Sequence, residues 1–388
     1  MPILNRVAEL HDEVTGWRRH LHTIPELLYD VHQTAGFVEG KLREFGCDEV
    51  VPGLGRTGVV GIIKGNLGDG PTIGLRADMD ALPLNEITGK PYASQTAGKM
   101  HACGHDGHTA MLLGAAKYLA ETRNFAGSVA VIFQPAEEGG AGGRAMVQDG
   151  MMERFGISRV FGMHNMPGLP VGQFAIRPGP IMAATAEFTI TVKGRGGHAA
   201  MPHGTVDPIV IASQIVQGLQ TIAARSVDPV DSIVVSVTKF HAGDAYNVIP
   251  QEAQLAGTIR TLRTEVGEAS RERMRAICQG IAAAHGATVD VAIDVNYPVT
   301  FNNAEETEFA SGIAIEVAGA PQVHTDINPV MGGEDFSYML EARPGAFIFA
   351  GNGDTANLHN PAYDFNDELI PHGISYWVRL TETALGRT

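Results

Sequence analysis

The feature of this sequence that most restricts its fold is a change of hydrophobic period near Thr185. Upstream, short runs rich in β-branched residues (Gly58 to Lys64, Thr72 to Arg76, Ser128 to Gln134, Val160 to His164) are bounded by Gly, Asp and Pro and read as strands. Helical spacings lie before and between them. Val7, Leu10, Val14, Trp17 and Leu21 recur at three- and four-residue steps, a second helix is predicted over about Gln33 to Phe45, and a small-residue helix runs through about Ala120. Such alternation predicts an α/β domain with a mostly parallel sheet, whose ligands gather beyond the carboxyl ends of the strands. Downstream, Ala186, Phe188, Ile190 and Val192 alternate with polar residues. A helix over Pro208 to Ala224, strands over Ser232 to Phe240 and Glu252 to Thr261, a helix over about Val266 to His285 and a strand over Thr288 to Asn296 follow. That β-α-β-β-α-β order is the ferredoxin-like signature of a separate α+β domain. After Pro298 the earlier patterns return, with Ala346 to Ala350 as a strand. The predicted organisation is a catalytic domain of residues 1–182 and 298–388, with residues 183–297 inserted as a second domain.

A chain of 388 residues is long enough for two or three domains. Lys+Arg 28 against Asp+Glu 43 leave a net charge of −15, which argues against a surface that tracks nucleic-acid phosphates. The longest uncharged candidate for a membrane span, Pro208 to Ala224, carries Ser213, Gln214, Gln217 and Gln220. It also falls short of the ~20 residues a span needs, so no membrane partner is expected. Cys47, Cys103 and Cys278 are too few and too odd in number for a disulfide framework, and Met1 to Arg6 has no apolar leader core. A cytoplasmic location is the expectation.

Polar clusters follow the predicted strands. Cys103-Gly104-His105, with His101, Asp106 and His108, packs a thiol, three imidazoles and a carboxylate into eight residues at the mouth of a helix. Thiolate and imidazole suit zinc and its neighbours, while carboxylates admit harder ions such as manganese. Glu137-Glu138 follows a buried strand, flanked by Gly-rich backbone. Successive side chains on extended backbone diverge, so one carboxylate can bind metal while the other serves as general base. His164 ends a strand and His359 sits in the loop Leu358-His359-Asn360-Pro361. Together these donors are what a hydrolytic two-metal centre requires.

Four spaced motifs carry a resemblance that covers essentially the whole chain. They are Leu75-Arg76-Ala77-Asp78-Met79-Asp80-Ala81-Leu82-Pro83, Met100-His101-Ala102-Cys103-Gly104-His105-Asp106-Gly107-His108, Gln134-Pro135-Ala136-Glu137-Glu138-Gly139, and Gly194-Arg195-Gly196-Gly197-His198-Ala199-Ala200. In these the chain resembles the hippurate hydrolase and indole-acetyl-amino-acid hydrolase branch of the aminoacylase-type metallopeptidases. The resemblance implies a two-domain enzyme that cleaves the amide joining an acyl group to an amino acid, using two divalent ions per subunit (manganese, zinc, cobalt or nickel). It implies Cys103 as bridging thiolate with His105, Glu138, His164 and His359 as the other ligands, Glu137 as base, and Asp80 as the carboxylate that orients a metal-bound histidine. It further implies that the inserted domain mediates dimerisation, giving a homodimer or homotetramer, with His198 reaching the partner's active site to stabilise the oxyanion. Asn247 and Arg260 are implied to hold the substrate's free carboxylate. Elsewhere in the wider family a His-x-Asp supplies a ligand where this chain has Asp78-Met79-Asp80, and a carboxylate bridges where it has Cys103. A thiolate bridge shifts preference away from the hardest ions.

The expected reaction is hydrolysis of an N-acyl amino acid (N-benzoyl, N-acetyl or indole-acetyl), with a dipeptide or an N-acetylated biosynthetic intermediate such as N-acetyl-diaminopimelate as the alternative substrate. Two other readings compete. Cys103 could act as a nucleophile with a histidine base, or the chain could bind metal or peptide without turnover. The first leaves Glu137, Glu138, His164 and His359 without roles, and the second leaves Glu137 and Asp80 without them. The remaining histidines, His20, His22 and His324 among them, are read as surface or structural residues.

Overall fold

The computed structural model describes residues Leu4 to Gly386. Met1 to Ile3, part of the segment read as lacking a leader, lie outside the described residues. Contacts divide the chain into two compact units, one of residues up to Ile181 with Phe301–Asn328 and everything from Asp335, the other of Met182–Thr300 with Pro329–Glu334.

The first unit is built on an eight-stranded sheet. At its centre Ser128–Gln134, Thr72–Asp78, Ile157–Pro167 and Gly345–Gly353 run parallel, in that spatial order. Ser128–Gln134 is buried at every position after Ser128, the pattern of a strand covered on both faces, which is why its sequence reads as an unbroken apolar run. Gly58–Lys64 and Glu49–Leu54 extend one side antiparallel. Glu49–Leu54 was not anticipated: it carries Pro52 and Gly53 and has only one buried residue, features tolerated at a sheet edge.

Helix His105–Thr122 is buried around nearly its whole circumference through Ala116, as a helix hydrophobic on all sides must be. Helices Asn5–Thr23 and Ile370–Ala384 pack on it. Because the central strands are parallel, their carboxyl ends share one edge. Asp78, Gln134 and the His164 region therefore come together there, and the loops that follow supply the site.

The second unit has a four-stranded antiparallel sheet in the order Ile233–His241, Glu252–Thr261, Ala184–Lys193, Thr288–Tyr297. Helices Pro208–Thr221 and Thr264–Ala284 belong with it, and its core holds Phe188, Ile190, Val192, Ile211, Ile215 and Leu255. Asp207 caps the first helix by accepting from the Ile209 amide, with Pro208 at the first helical position. That helix ends at Thr221 in a π-helical turn, Ile222–Ser226, instead of continuing to Ala224. No helix among the described residues is long and apolar enough to cross a membrane.

Candidate metal centre

The site begins with Gly104, which joins Cys103 to the helix at His105 in a left-handed conformation (φ +92°). A Cβ there would lie 2.2 Å from Asn165 Nδ2, so both backbone and space demand glycine. His105 then enters the helix fully buried, and its Nδ1–H donates to the main-chain carbonyl of Asp80 at 2.8 Å. Its Nε2 is left with no hydrogen-bond partner among the described residues. His164 is fixed in the same way: Nδ1–H donates to the Asn165 carbonyl at 2.7 Å, and Nε2 lies 3.3 Å from Cys103 Sγ.

Glu137 and Glu138 follow Ala136, whose φ of 55° turns the chain sharply out of the strand. The Asp80 carboxylate holds this turn, Oδ1 accepting from the Glu137 amide at 2.9 Å and Oδ2 from the Glu138 amide at 3.1 Å. Glu138 Oε1 lies 3.3 Å from His359 Nε2. His359 is itself left-handed (φ 61°), with its amide donating to the Ala102 carbonyl at 2.8 Å.

Overlapping donor groups result, Cys103-His105-His164, Cys103-Glu138-His359 and His105-Glu137-Glu138, each with its ligand atoms within 4.8 Å of one another; Asp78-His105-His108 and Glu137-Glu334-Asp335 meet the same spacing and share His105 and Glu137 with them. Cys103 is common to the first two. A thiol shared between two donor sets, beside a buried imidazole nitrogen without a hydrogen-bond partner, fits a pair of divalent metal ions. All five residues expected as ligands are thus brought together, with Glu137 beside them. Asp80 touches His105 chiefly through its main-chain carbonyl; its carboxylate Oδ1 stands 3.6 Å from the ring nitrogen and serves the two glutamate amides.

Beneath the donors is a buried polar network that the sequence reading did not single out. Arg76 pairs with Asp78 at 2.8 Å and Asp335 at 3.0 Å and donates to Gln134 Oε1 at 2.9 Å. Asp78 Oδ1 accepts from His108 Nδ1–H at 2.7 Å, and His108 Nε2 accepts from the Asn165 amide at 2.9 Å. Burial opposes ionisation of Asp78, but His105, His108 and Arg76 outweigh it and hold the carboxyl well below its ordinary range. Burial lowers His105 while Asp78 and Asp80 more than reverse it, pushing the group up to about 10. His164 has no such carboxylate contact, and burial holds it well below its ordinary value. A signal for this network was present. Arg76, Asp78 and Asp80 sit two apart, so a basic and an acidic side chain share one face of an otherwise apolar strand.

In the second unit, Gly197–His198 pairs antiparallel with Val248–Ile249, and the Ala199 amide donates to the Asn247 carbonyl at 3.0 Å. His198 and Asn247 are therefore neighbours, both exposed. His198 Nδ1 accepts from the Ala200 amide at 3.1 Å, leaving Nε2 to carry the proton. Arg260 belongs to the four-stranded sheet, on strand Glu252–Thr261, between Val234 and Thr185 in register. Burial lowers its pKa, with Glu187 opposing.

The sequence pattern of peptidase family M20/M25/M40 matches residues 74–383. The chain belongs to this family. Among the proteins it resembles, the hippurate hydrolase of Campylobacter jejuni is 43% identical over 380 residues, covering 98% of each chain. The N-acetylcysteine deacetylase of Bacillus subtilis is 40% identical over 377 residues, covering 97% of each. A solved structure of the Bacillus subtilis YXEP protein, described as a dinuclear metal binding peptidase of the M20 family, superposes with a TM-score of 0.84 at 37% identity. It covers 97% of this chain and 99% of that one.

Proposed function

We propose that this M20/M25/M40 member is a metal-dependent hydrolase of N-acyl amino acids, releasing a carboxylic acid and a free amino acid. The observation that carries the reading is the sharing of Cys103 between two donor groups, with Glu137 clamped beside them. Cys103, His105, Glu138, His164 and His359 would hold two divalent ions, which when bound supply Lewis acidity to the amide carbonyl and acidify a water. Glu137, buried and fixed by its amide, takes the proton of the attacking water and returns it to the leaving amine. His198, with Nε2–H free to donate, is assigned to the oxyanion developing in the active site of a partner subunit, and Asn247 and Arg260 to the substrate carboxylate. The relatives' names support N-benzoyl and N-acetyl substrates. A thiolate among the donors would favour zinc, cobalt or nickel over the hardest ions, and the carboxylate of Glu138 would also admit manganese.

We assign assembly into dimers to the second unit. Exposed Val234 and Phe240 on its edge strand Ile233–His241 support this. An odd and sparse set of three cysteines supports a reducing, cytoplasmic setting.

One observation favours a second reading: Cys103 Sγ and His164 Nε2, 3.3 Å apart, would also suit a thiolate–imidazole nucleophile. A single experiment separates the two. Amine release is followed from N-benzoylglycine, N-acetylcysteine, an indole-acetyl amino acid and a dipeptide, on protein as purified, after chelation, and after return of manganese, cobalt, nickel or zinc. Activity that disappears on chelation and returns with metal supports the hydrolase reading, and the substrate ranking names the acyl class. Activity indifferent to chelation would make Cys103 the nucleophile.

A further inference from the structure

Helix Asn5–Thr23 carries two buried cationic side chains for which the hydrolysis described above has no use. Arg18 and His22 are 0% and 1% exposed, one helical turn apart and so on one face. Burying such groups costs several kcal/mol unless they are paired, and both are. His22 Nδ1 lies 2.8 Å from Asp106 Oδ2, and its Nε2 is 3.3 Å from Glu86. Arg18 Nε donates to Asp367 Oδ1 at 2.7 Å, while its Nη1 stands 3.6 Å from Asp106 and 3.8 Å from Asp364.

The acids reached in this way are not scattered. Asp106 directly follows His105 in the first turn of the helix that His105 opens. Asp364 closes the loop that carries His359, and it also accepts from the Tyr92 hydroxyl at 2.9 Å and pairs with Lys90 at 2.9 Å. In the same loop the Pro361 carbonyl accepts from the Ile87 amide at 2.9 Å. Arg18 lies over the Tyr92 ring at 4.5 Å. Two segments far apart in sequence, each bearing one candidate donor, are thus tied to one face of one helix. Nothing else in that helix requires cations in the interior, where apolar residues of the same size would pack at less cost.

We propose that Arg18 and His22 are positioning residues for the metal centre, holding the segments of His105 and His359 in the register at which both donors meet the ions. The proposal rests on the reading of Cys103, His105, Glu138, His164 and His359 as ligands. Groups that orient ligands without touching the metal set its affinity by about 10–100-fold, and that is the effect expected here.

The test measures zinc and manganese affinity of the full-length protein by competition with a chromophoric chelator, alongside thermal midpoint and the KM for N-benzoylglycine at saturating metal. His22→Gln and Arg18→Gln are expected to weaken metal binding about 10–100-fold with KM little changed. Leu10→Ala, which removes packing from the same helix without touching either charge, is expected to lower the thermal midpoint and leave metal affinity alone. Asp364→Asn, partly exposed, carries the same measurement if a buried variant fails to fold. The proposal is overturned if the charge variants bind metal as the wild type does, or weaken it no more than Leu10→Ala. Cys103→Ala tells the two levels apart. If it still takes up its full complement of metal, the ligand reading falls; if it loses metal while the charge variants keep theirs, only the positioning role falls.

Discussion

The carboxylate of Asp80 accepts the amide of Glu137 on one oxygen and that of Glu138 on the other, at 2.9 and 3.1 Å. One side chain therefore sets the direction in which two adjacent glutamates leave the sheet, while its main-chain carbonyl fixes His105. Asp80→Asn leaves the carbonyl in place and substitutes an NH2 for one acceptor, so one amide loses its partner. The expected outcome is retained metal, a stability loss of about 1–3 kcal/mol and a fall in kcat. Metal content by atomic emission, together with steady-state kinetics, would check it. Loss of metal in step with kcat would mean that the carboxylate itself acts on the ligands.

Glu137→Gln keeps the shape of the side chain and removes its basicity. General acid–base help is worth about 10²–10⁴-fold, so kcat should fall by that much with both metals still bound. Turnover near the wild-type rate would remove Glu137 from the role of base.

Gly104→Ala would place a methyl 2.2 Å from Asn165 Nδ2 and force a side chain into a left-handed backbone. Backbone strain alone costs about 1–3 kcal/mol, and relief would have to move Asn165, which donates to the Cys103 carbonyl at 2.6 Å. The expected result is a lowered unfolding midpoint with weaker metal retention. An unchanged midpoint would show that the turn adapts freely.

His22 gives the protein a pH dependence with a definite sign. Burial lowers its pKa, but Asp106 and Glu86 face its two nitrogens and outweigh both that and the repulsion of Arg18, pushing it up to about 9. The folded state therefore holds a proton that the unfolded chain, with an ordinary value near 6.5, releases earlier. The stabilisation is fully present below about pH 6.5 and is lost as pH rises through about 9, a change on the order of 3 kcal/mol. Urea unfolding at fixed metal concentration from pH 6 to 9.5 should show the wild type losing its advantage over His22→Gln across that window. A constant difference would mean that His22 is neutral throughout.

The strands legible in the sequence were those with an unbroken apolar run or a regular alternation. Gly58–Lys64 and Ser128–Gln134 are found with the anticipated ends, and Glu252–Thr261 likewise, because apolar runs or strict alternation leave little choice of period. Glu49–Leu54 was hidden by its exposure. The five expected donors converge because parallel strands deliver their loops to one edge. What could not be read was how polar groups are shared in the interior. His22 looks like a surface histidine until Asp106 and Glu86 are seen to close on it, and both come from segments that only the fold brings near. Arg18 was indistinguishable from Arg19 beside it, yet one is wholly enclosed and the other stands largely in solvent. Side-chain periodicity indicates which face of a helix turns inward, but not which charges await it there.

His359 lies far along the chain from Cys103 and Glu138, beyond all of the second unit. During synthesis the first hundred and eighty or so residues can pair the five strands from Glu49–Leu54 to Ile157–Pro167 and present four donors. The fifth arrives only when most of the remaining polypeptide has emerged. An ion captured early would meet an incomplete cage and exchange readily; one captured after His359 docks would fasten the beginning of the chain to its end. Metal retention is thereby a report on whether translation and folding have both finished.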